Sequence, residues 1–164
     1  MWRSWLARTA GGREVAGSSP VTPTKKVMQD TLKLYTDGGS RGNPGPAAYA
    51  YIICKLDNSV VEKYGEYLGN TTNNQAEYKG LVAGLERAIA LQFRDLQVYM
   101  DSELIIRQMI GKYKVKNKDL LPLFTRASML AAKIEKISFT HVARTLNTQA
   151  DAEVNRILDE AESR

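Results

Sequence analysis

The sequence predicts one α/β domain built on a mixed five-stranded sheet with helices on both faces. Three early strand patterns joined by short connections predict an antiparallel meander. Two later strand patterns separated by helix patterns predict crossover connections that add parallel strands to this sheet. A chain of 164 residues with 43% hydrophobic and 25% charged residues has the size and composition of a single globular domain.

The first three strands are bounded by turn residues. Alternation of apolar and polar side chains predicts strands over residues 31–37, 47–56 and 60–68. A glycine- and proline-rich stretch over residues 38–46 predicts the first loop, and residues 57–59 (Asp-Asn-Ser) predict a hairpin turn.

The second half of the chain alternates between helix and strand patterns. Thr72 or Asn73 is suited to cap the first helix, Gly111 to end the second, and Pro122 fits only the first turn of the third. Asn147 is suited to cap the last helix. Helices are predicted over residues 73–91, 102–110, 119–133 and 147–160, and strands over residues 96–101 and 137–142.

The first 27 residues differ in composition from the rest. They contain five of the 23 basic residues and one of the 18 acidic residues, so the net charge of +5 arises mostly there and does not by itself indicate a nucleic-acid partner. Residues 1–27 are predicted to be a disordered tail and residues 28–164 to be the folded domain. A transit peptide is one interpretation of the tail.

A second interpretation is that the tail is not natural coding sequence. Residues 17–20 (Gly-Ser-Ser-Pro) can be encoded by GGT-TCG-AGT-CCC, which resembles the T-arm of a tRNA gene, and translation would then start at Met28. The chain has no apolar run long enough to span a membrane, and a cytoplasmic location is expected. The single cysteine, Cys54, is interpreted as a buried apolar residue.

Acidic residues occur where burial disfavours them. Asp37 and Asp101 end the first and fourth predicted strands, and parallel neighbours would bring both carboxylates to the same edge of the sheet. Glu77 falls on the apolar stripe of its helix, where an unpaired carboxylate has a large desolvation penalty. Asp151 lies one turn into the last helix, beside its apolar stripe.

Convergence of these four carboxylates would create a site for hard cations. Two Mg²⁺ ions about 4 Å apart, with Mn²⁺ as a substitute, would relieve the repulsion and suit in-line phosphodiester cleavage. Taken singly, a strand-ending aspartate is more often a cap or turn residue, and spacing alone does not establish that the four meet.

Four segments together resemble the motifs of type 1 ribonucleases H, in the family's order. The resemblance extends from about residue 32 to residue 158 and implies a ribonuclease H-like fold. The segments are residues 35–45 (Tyr-Thr-Asp-Gly-Gly-Ser-Arg-Gly-Asn-Pro-Gly), 71–77 (Thr-Thr-Asn-Asn-Gln-Ala-Glu), 101–102 (Asp-Ser) and 147–151 (Asn-Thr-Gln-Ala-Asp).

The resemblance implies an endonuclease that hydrolyses the RNA strand of RNA–DNA hybrids by a two-metal-ion mechanism and leaves 5′-phosphate and 3′-hydroxyl ends. It implies that the metal-binding and catalytic residues are Asp37, Glu77, Asp101 and Asp151. No obligate protein partner is evident, and a monomer is expected. A non-catalytic nucleic-acid binding module, and a nuclease for double-stranded RNA or a ribonuclease H domain that works with a separate polymerase, are the competing hypotheses.

Substrate contacts are also implied by the resemblance. Hybrid recognition requires sensing the 2′-hydroxyl on one strand and its absence on the other. Thr72 is similar to the family's DNA-phosphate contact, and Gln75 is a weaker candidate. For Asn73 and Asn74, helix capping is the alternative. The other implied contacts are Gly38, Gly39, Ser40, Arg41, Asn43, Asn73 and Asn74.

The chain departs from the family's common pattern in two places. The segment over residues 111–119 is too short for the basic protrusion of many members, as in the compact prokaryotic form. Its lysines would then either contact phosphates or simply form a solvated edge, and weaker hybrid binding with steep salt dependence is expected. These lysines are Lys112, Lys114, Lys116 and Lys118.

The second departure concerns the family's mobile histidine. His141, the only histidine, falls in a strand pattern and is interpreted as structural, with a catalytic role as the alternative. Arg144 or Thr145 is then expected near the site, where an arginine would stabilise phosphate charge but not transfer protons. Glu103 is interpreted as an exposed helix residue.

Overall fold

The structure is a computed structural model that describes residues 31–164. The predicted tail over residues 1–27 and the proposed start at Met28 lie outside these residues. The elements are β1 (Thr31–Ser40), β2 (Gly45–Cys54), β3 (Val60–Thr71), α1 (Asn73–Ala90), β4 (Asp95–Met100), α2 (Glu103–Met109), α3 (Leu121–Ala131), β5 (Lys136–His141), a short 3₁₀ helix (Arg144–Leu146) and α4 (Thr148–Glu162).

The five strands form one mixed sheet in the order β3-β2-β1-β4-β5. The β1–β2 and β2–β3 pairs are antiparallel, whereas the β1–β4 and β4–β5 pairs are parallel. The predicted fold class is therefore confirmed. In the parallel register Tyr35 lies beside Tyr99, so Asp37 and Asp101, two residues further along their chains, emerge at the same edge.

Helices cover both faces of the sheet. Because side chains alternate along a strand, each central strand contributes residues to the core on both faces. Tyr49 and Tyr51 of β2 join a large core that includes Tyr78 of α1. Ala48 and Ala50, which point the other way, pack against α4 in a smaller cluster. Alanine side chains on this face leave room for the helix to approach the sheet closely.

The predicted loop over residues 38–46 is shorter in the structure. β1 continues through Gly38 and Gly39 to Ser40, which pair with β2, and β2 already begins at Gly45. A Cβ atom on Gly38 would overlap the backbone of Ala76, so glycine here permits close packing of α1 on the strand. The prediction was wrong at both ends because glycine marks close backbone contact as well as turns.

The residues that precede α1 and α4 are the predicted ones, but only the residue before α1 caps its helix with its side chain. Thr72, one of the two predicted candidates, caps α1, and it forms a capping box with Gln75. Asn147 precedes α4 as predicted, but its side chain makes no capping hydrogen bond to a described residue. It donates instead to the backbone oxygen of Thr36 at 2.9 Å. Pro122 stands in the first turn of α3, as expected.

The remaining boundaries move by a few residues. β2 ends at Cys54 rather than at residue 56, β3 extends to Thr71, and α3 is four residues shorter than the predicted 119–133 range. Cys54 is buried, as interpreted. No helix within residues 31–164 is both long enough and apolar enough to cross a membrane.

Candidate active site

Three of the four predicted carboxylates form a tight cluster. Asp37 projects from β1, Glu77 from the first turns of α1, and Asp101 from the residue after β4. One carboxylate oxygen from each lies within 4.8 Å of the others. Convergence of Asp37 and Asp101 follows from parallel pairing of their strands, and Glu77 reaches them because α1 packs directly on β1.

Two of the three clustered carboxylates are buried, and Asp101 is partly exposed. Asp37 and Glu77 are each 6% exposed. Among the described residues Glu77 Oε1 has no hydrogen-bond partner although it is buried. A buried carboxylate oxygen without a donor is unfavourable, and a cation would supply the missing interaction.

The cluster is also electrostatically strained. Burial raises the pKa of Asp37 to about 7, with further contributions from the nearby charges of Asp101 and Asp151. Burial raises the pKa of Glu77 well above its ordinary value, and the charges of Asp37 and Asp101 add to this. Without a cation, Asp37 and Glu77 therefore retain their protons to higher pH than ordinary carboxyl groups do.

Asp151 lies on the same cavity but is held separately. Its Oδ1 accepts a hydrogen bond from the Arg144 guanidinium at 3.0 Å, and its Oδ2 accepts one from the Asn155 amide at 3.4 Å. Its side chain is 28% exposed. All four predicted carboxylates thus line one cavity, with three close together and the fourth at its margin.

The cavity has a volume of about 360 Å³. Asn155 lines it and was not identified from the sequence. One signal was available, because Asn155 lies one helical turn after Asp151 and such residues are neighbours on a helix surface. Val142 and Ala143 also line the cavity, from the connection between β5 and the 3₁₀ helix.

Several implied substrate contacts lie beside the carboxylates. Asn73 Oδ1 accepts a hydrogen bond from the Ser40 backbone at 3.3 Å, which fixes the start of α1 to the end of β1. Arg41 forms ion pairs of 2.8 Å with Asp159 and with Glu162 of α4, so its guanidinium is already engaged. The implied contacts that line the cavity are Gly38, Gly39, Ser40, Arg41 and Asn73.

Four other implied contacts are not part of the cavity lining within the described chain. Thr72 and Gln75 bond to each other in the capping box of α1. Asn43 accepts a hydrogen bond from the Asn73 backbone at 3.0 Å, and Asn74 follows in the first turn of the helix. Asn43 thus lies in the β1–β2 loop, and the other three lie at the start of α1.

His141 and Arg144 lie at the site, whereas Glu103 lies on the surface, outside the cavity lining. His141 ends β5, which agrees with its predicted strand, but it is exposed and lines the cavity. Arg144 lies at the site, as expected. Glu103 is 56% exposed and pairs with Arg107 at 2.6 Å, which confirms its interpretation as an exposed helix residue.

The residues of the cluster fit a divalent cation. Asp37, Glu77 and Asp101 present hard oxygen ligands at short mutual distances, and Glu77 has a buried oxygen without a partner among the described residues. Mg²⁺ is commonly bound by carboxylates of this kind. The fit rests on the chemistry of the donors and on the orphaned oxygen.

Comparison with known proteins gives a consistent family. Residues 35–157 match the family described as Reverse transcriptase-like. Ribonuclease HI of Halobacterium salinarum is 40% identical over 150 residues, which cover 90% of this chain and 75% of that protein. A bifunctional protein of Mycobacterium tuberculosis is 45% identical over 129 residues, 78% of this chain, but the match spans only about a third (35%) of the mycobacterial protein.

Solved structures agree with these relatives. The N-terminal RNase H domain of a Mycobacterium tuberculosis protein, solved as a fusion with maltose binding protein, has a TM-score of 0.78 and 42% identity, covering 81% of this chain and 96% of that one. LC11-RNase H1 in complex with an RNA/DNA hybrid has a TM-score of 0.76 and 38% identity, covering 79% of this chain and 98% of that one.

Proposed function

The chain belongs to the ribonuclease H family, and from that premise we propose that it hydrolyses the RNA strand of RNA–DNA hybrids and leaves 5′-phosphate and 3′-hydroxyl ends. The single observation that supports this most is the cluster of Asp37, Glu77 and Asp101 at the carboxyl edge of two parallel strands. A solved relative in complex with an RNA/DNA hybrid supports the choice of substrate.

The proposed catalytic and metal-binding residues are Asp37, Glu77, Asp101 and Asp151, which line one cavity. In this proposal they hold two divalent cations, Mg²⁺ with Mn²⁺ as a substitute. When bound, such cations activate the attacking water and stabilise the leaving oxygen. Bound cations would favour the ionised forms of Asp37 and Glu77, whose pKa values are raised by burial.

Substrate selection is assigned to the groups around the cavity. Residues Gly38 to Ser40 of β1 and Asn73 line the cavity beside the carboxylates. In this proposal the backbone groups of that β1 segment and the Asn73 side chain contact the RNA ribose. Thr72, Asn74 and Gln75 lie at the start of α1, where the helix N-terminus favours an adjacent phosphate. These groups would orient the hybrid rather than take part in bond cleavage.

Assembly and location complete the proposal. We propose that the domain acts as a monomer without an obligate protein partner and in the cytoplasm. The mycobacterial relatives are about three times longer than the matched region, so this chain corresponds to only a part of those proteins.

The proposal is tested by incubating the protein with end-labelled RNA as a single strand, as an RNA duplex and as an RNA–DNA hybrid, with Mg²⁺ or EDTA. We expect cutting of the hybrid alone, only with Mg²⁺, and loss of cutting in Asp101→Asn. Asp57→Asn, which alters an exposed carboxylate in the β2–β3 turn, is the matched control and should cut normally. Binding without cutting would indicate a binding module, and equal cutting of both duplexes a double-strand ribonuclease.

A further inference from the structure

The four carboxylates of the site are in two different states. Asp37, Glu77 and Asp101 face one another, and a Glu77 oxygen has no partner among residues 31–164. Asp151 instead has both oxygens engaged by its own chain, through Arg144 and Asn155. One part of the site is therefore ready for a cation, whereas the other part already contains a positive charge.

The two groups that hold Asp151 are not equivalent. Asn155 is neutral, lies on α4 with Asp151, and accepts a hydrogen bond from Arg41 at 3.2 Å, which ties it to the end of β1. Arg144 is a cation on the short 3₁₀ helix that precedes α4, and its side chain is 75% exposed. Of these two groups, only Arg144 forms an ion pair with Asp151. Because its side chain is largely exposed, it has room to move away.

We propose that Arg144 is a built-in competitor for the divalent cation at Asp151. In the absence of that cation Arg144 neutralises Asp151, and the arriving cation must displace it. Displacement releases the guanidinium next to the cavity, where it can meet a substrate phosphate. Arg144 is thus a positioning residue that sets the affinity of the Asp151 part of the site, an inference that rests on the proposed metal-dependent function.

The relative strength of the interactions permits this exchange. The Arg144 side chain is 75% exposed, so water screens its ion pair with Asp151 and keeps that interaction weak. A divalent cation carries twice the charge of the guanidinium and attracts the same carboxylate more strongly at the same distance. The cation therefore wins at sufficient concentration, but Arg144 raises the concentration that is needed.

Cation binding without nucleic acid tests the inference. Mn²⁺ is titrated into the protein by isothermal calorimetry, with free Mn²⁺ followed by electron paramagnetic resonance. Arg144→Gln should bind the more weakly held Mn²⁺ about three- to ten-fold more tightly than the unaltered chain, since one positive charge near a divalent site is removed. Arg144→Lys retains the charge and should stay within about two-fold of the unaltered protein.

Two further variants make the result specific. Arg156→Gln removes an exposed arginine that pairs with Glu153 on the same helix, and it should leave Mn²⁺ binding unchanged. In an Asp151→Asn background, Arg144→Gln should no longer tighten binding, because the carboxylate for which the two cations compete is gone. Equal tightening in that background would show that Arg144 acts only through general charge and would overturn the proposal.

The outcomes separate this inference from the proposed function. If the unaltered protein binds Mn²⁺ and Arg144→Gln binds it no more tightly, the competition is refuted while the nuclease proposal stands. If the unaltered protein binds no Mn²⁺, both are refuted. If the expected tightening occurs but hybrids are not cut, only the proposed substrate fails.

Discussion

The side-chain amide of Asn147 donates a buried hydrogen bond of 2.9 Å to the backbone oxygen of Thr36. Thr36 directly precedes Asp37 in β1, and Asn147 stands at the start of α4, four residues before Asp151. This bond therefore fixes the helix that carries one carboxylate to the strand that carries another. Asn147 is 2% exposed, so this hydrogen bond is shielded from solvent.

We expect Asn147→Ala to lower the free energy of unfolding by roughly 1–3 kcal/mol, because the Thr36 carbonyl would lose its buried donor. Turnover should fall more than hybrid affinity, since the placement of Asp151 changes while the surface groups that face the hybrid remain. Urea unfolding and the separate measurement of kcat and KM check this. Asn70→Ala, at an exposed position of β3, is the control, and an Asn147→Ala protein with full kcat would contradict the positioning role.

Asp37 is expected to destabilise the cation-free protein as the pH rises. Its pKa is raised from 3.8 to about 7, so the folded state binds more protons than the unfolded state between these values and stability falls across that window. Asp37→Asn cannot titrate and should be more stable than the unaltered chain at pH 8 in EDTA, by up to about 4 kcal/mol. Below about pH 4 the difference should vanish.

Thermal unfolding at several pH values measures this effect, and Mg²⁺ should stabilise the unaltered chain but not Asp37→Asn. Asp57→Asn is the control with the opposite sign, because hydrogen bonds from Ser59 lower the pKa of Asp57 and its charged form supports the fold. A stability curve of Asp37→Asn that parallels the unaltered chain from pH 4 to pH 8 would be inconsistent with the buried, repelling cluster.

Sequence patterns predicted the sheet, and they marked Asp37, Glu77 and Asp101 as unusual carboxylates without establishing that the three meet. Asp37 and Asp101 follow from alternation and parallel pairing, and Glu77 from its place on an apolar stripe. Strand alternation and helical periodicity are local properties of the sequence, so they predict these elements without knowledge of tertiary contacts. The fourth acid, Asp151, was located on its helix in the same way.

Other features depend on tertiary contacts that no local pattern encodes. The engagement of Arg41 with Asp159 joins residues more than a hundred positions apart, and the bond of Asn147 to Thr36 stands where a helix cap is expected. Both residues have side chains that satisfy several kinds of partner, and the fold selects one of them. Gly38 is similarly ambiguous, because a glycine that predicts a turn serves equally for its close approach to α1.

The lysine segment between α2 and α3 gives a salt-dependence prediction. Lys112, Lys114, Lys116 and Lys118 are exposed, and none forms an ion pair within residues 31–164. Val115 packs on the core and holds the segment in place, and Arg107 lies 5.5 Å from the ring centre of Tyr113. The segment thus carries four exposed positive charges without ion-pair partners among the described residues, and Val115 anchors it to the core.

We expect replacement of all four lysines by Gln to raise KM for hybrids while kcat changes little. The slope of log affinity against log salt should decrease by about 0.7–0.9 for each phosphate that the variant no longer neutralises. The matched control replaces four lysines elsewhere on the surface, Lys55, Lys63, Lys133 and Lys136. If both quadruple variants change the slope equally, the segment is only a solvated edge.

His141 is exposed at the end of β5 and lines the cavity, so both its structural interpretation and the catalytic alternative can be tested at this position. We therefore expect His141→Ala to change stability by less than about 0.5 kcal/mol, as for other exposed positions. If the imidazole transfers protons, kcat should fall about 10²-fold or more and the pH profile of kcat should lose one ionisation. Arg144→Ala should lower kcat without removing an ionisation, because an arginine does not titrate in this range. A His141→Ala protein that loses stability and turnover in proportion would show that the residue is structural.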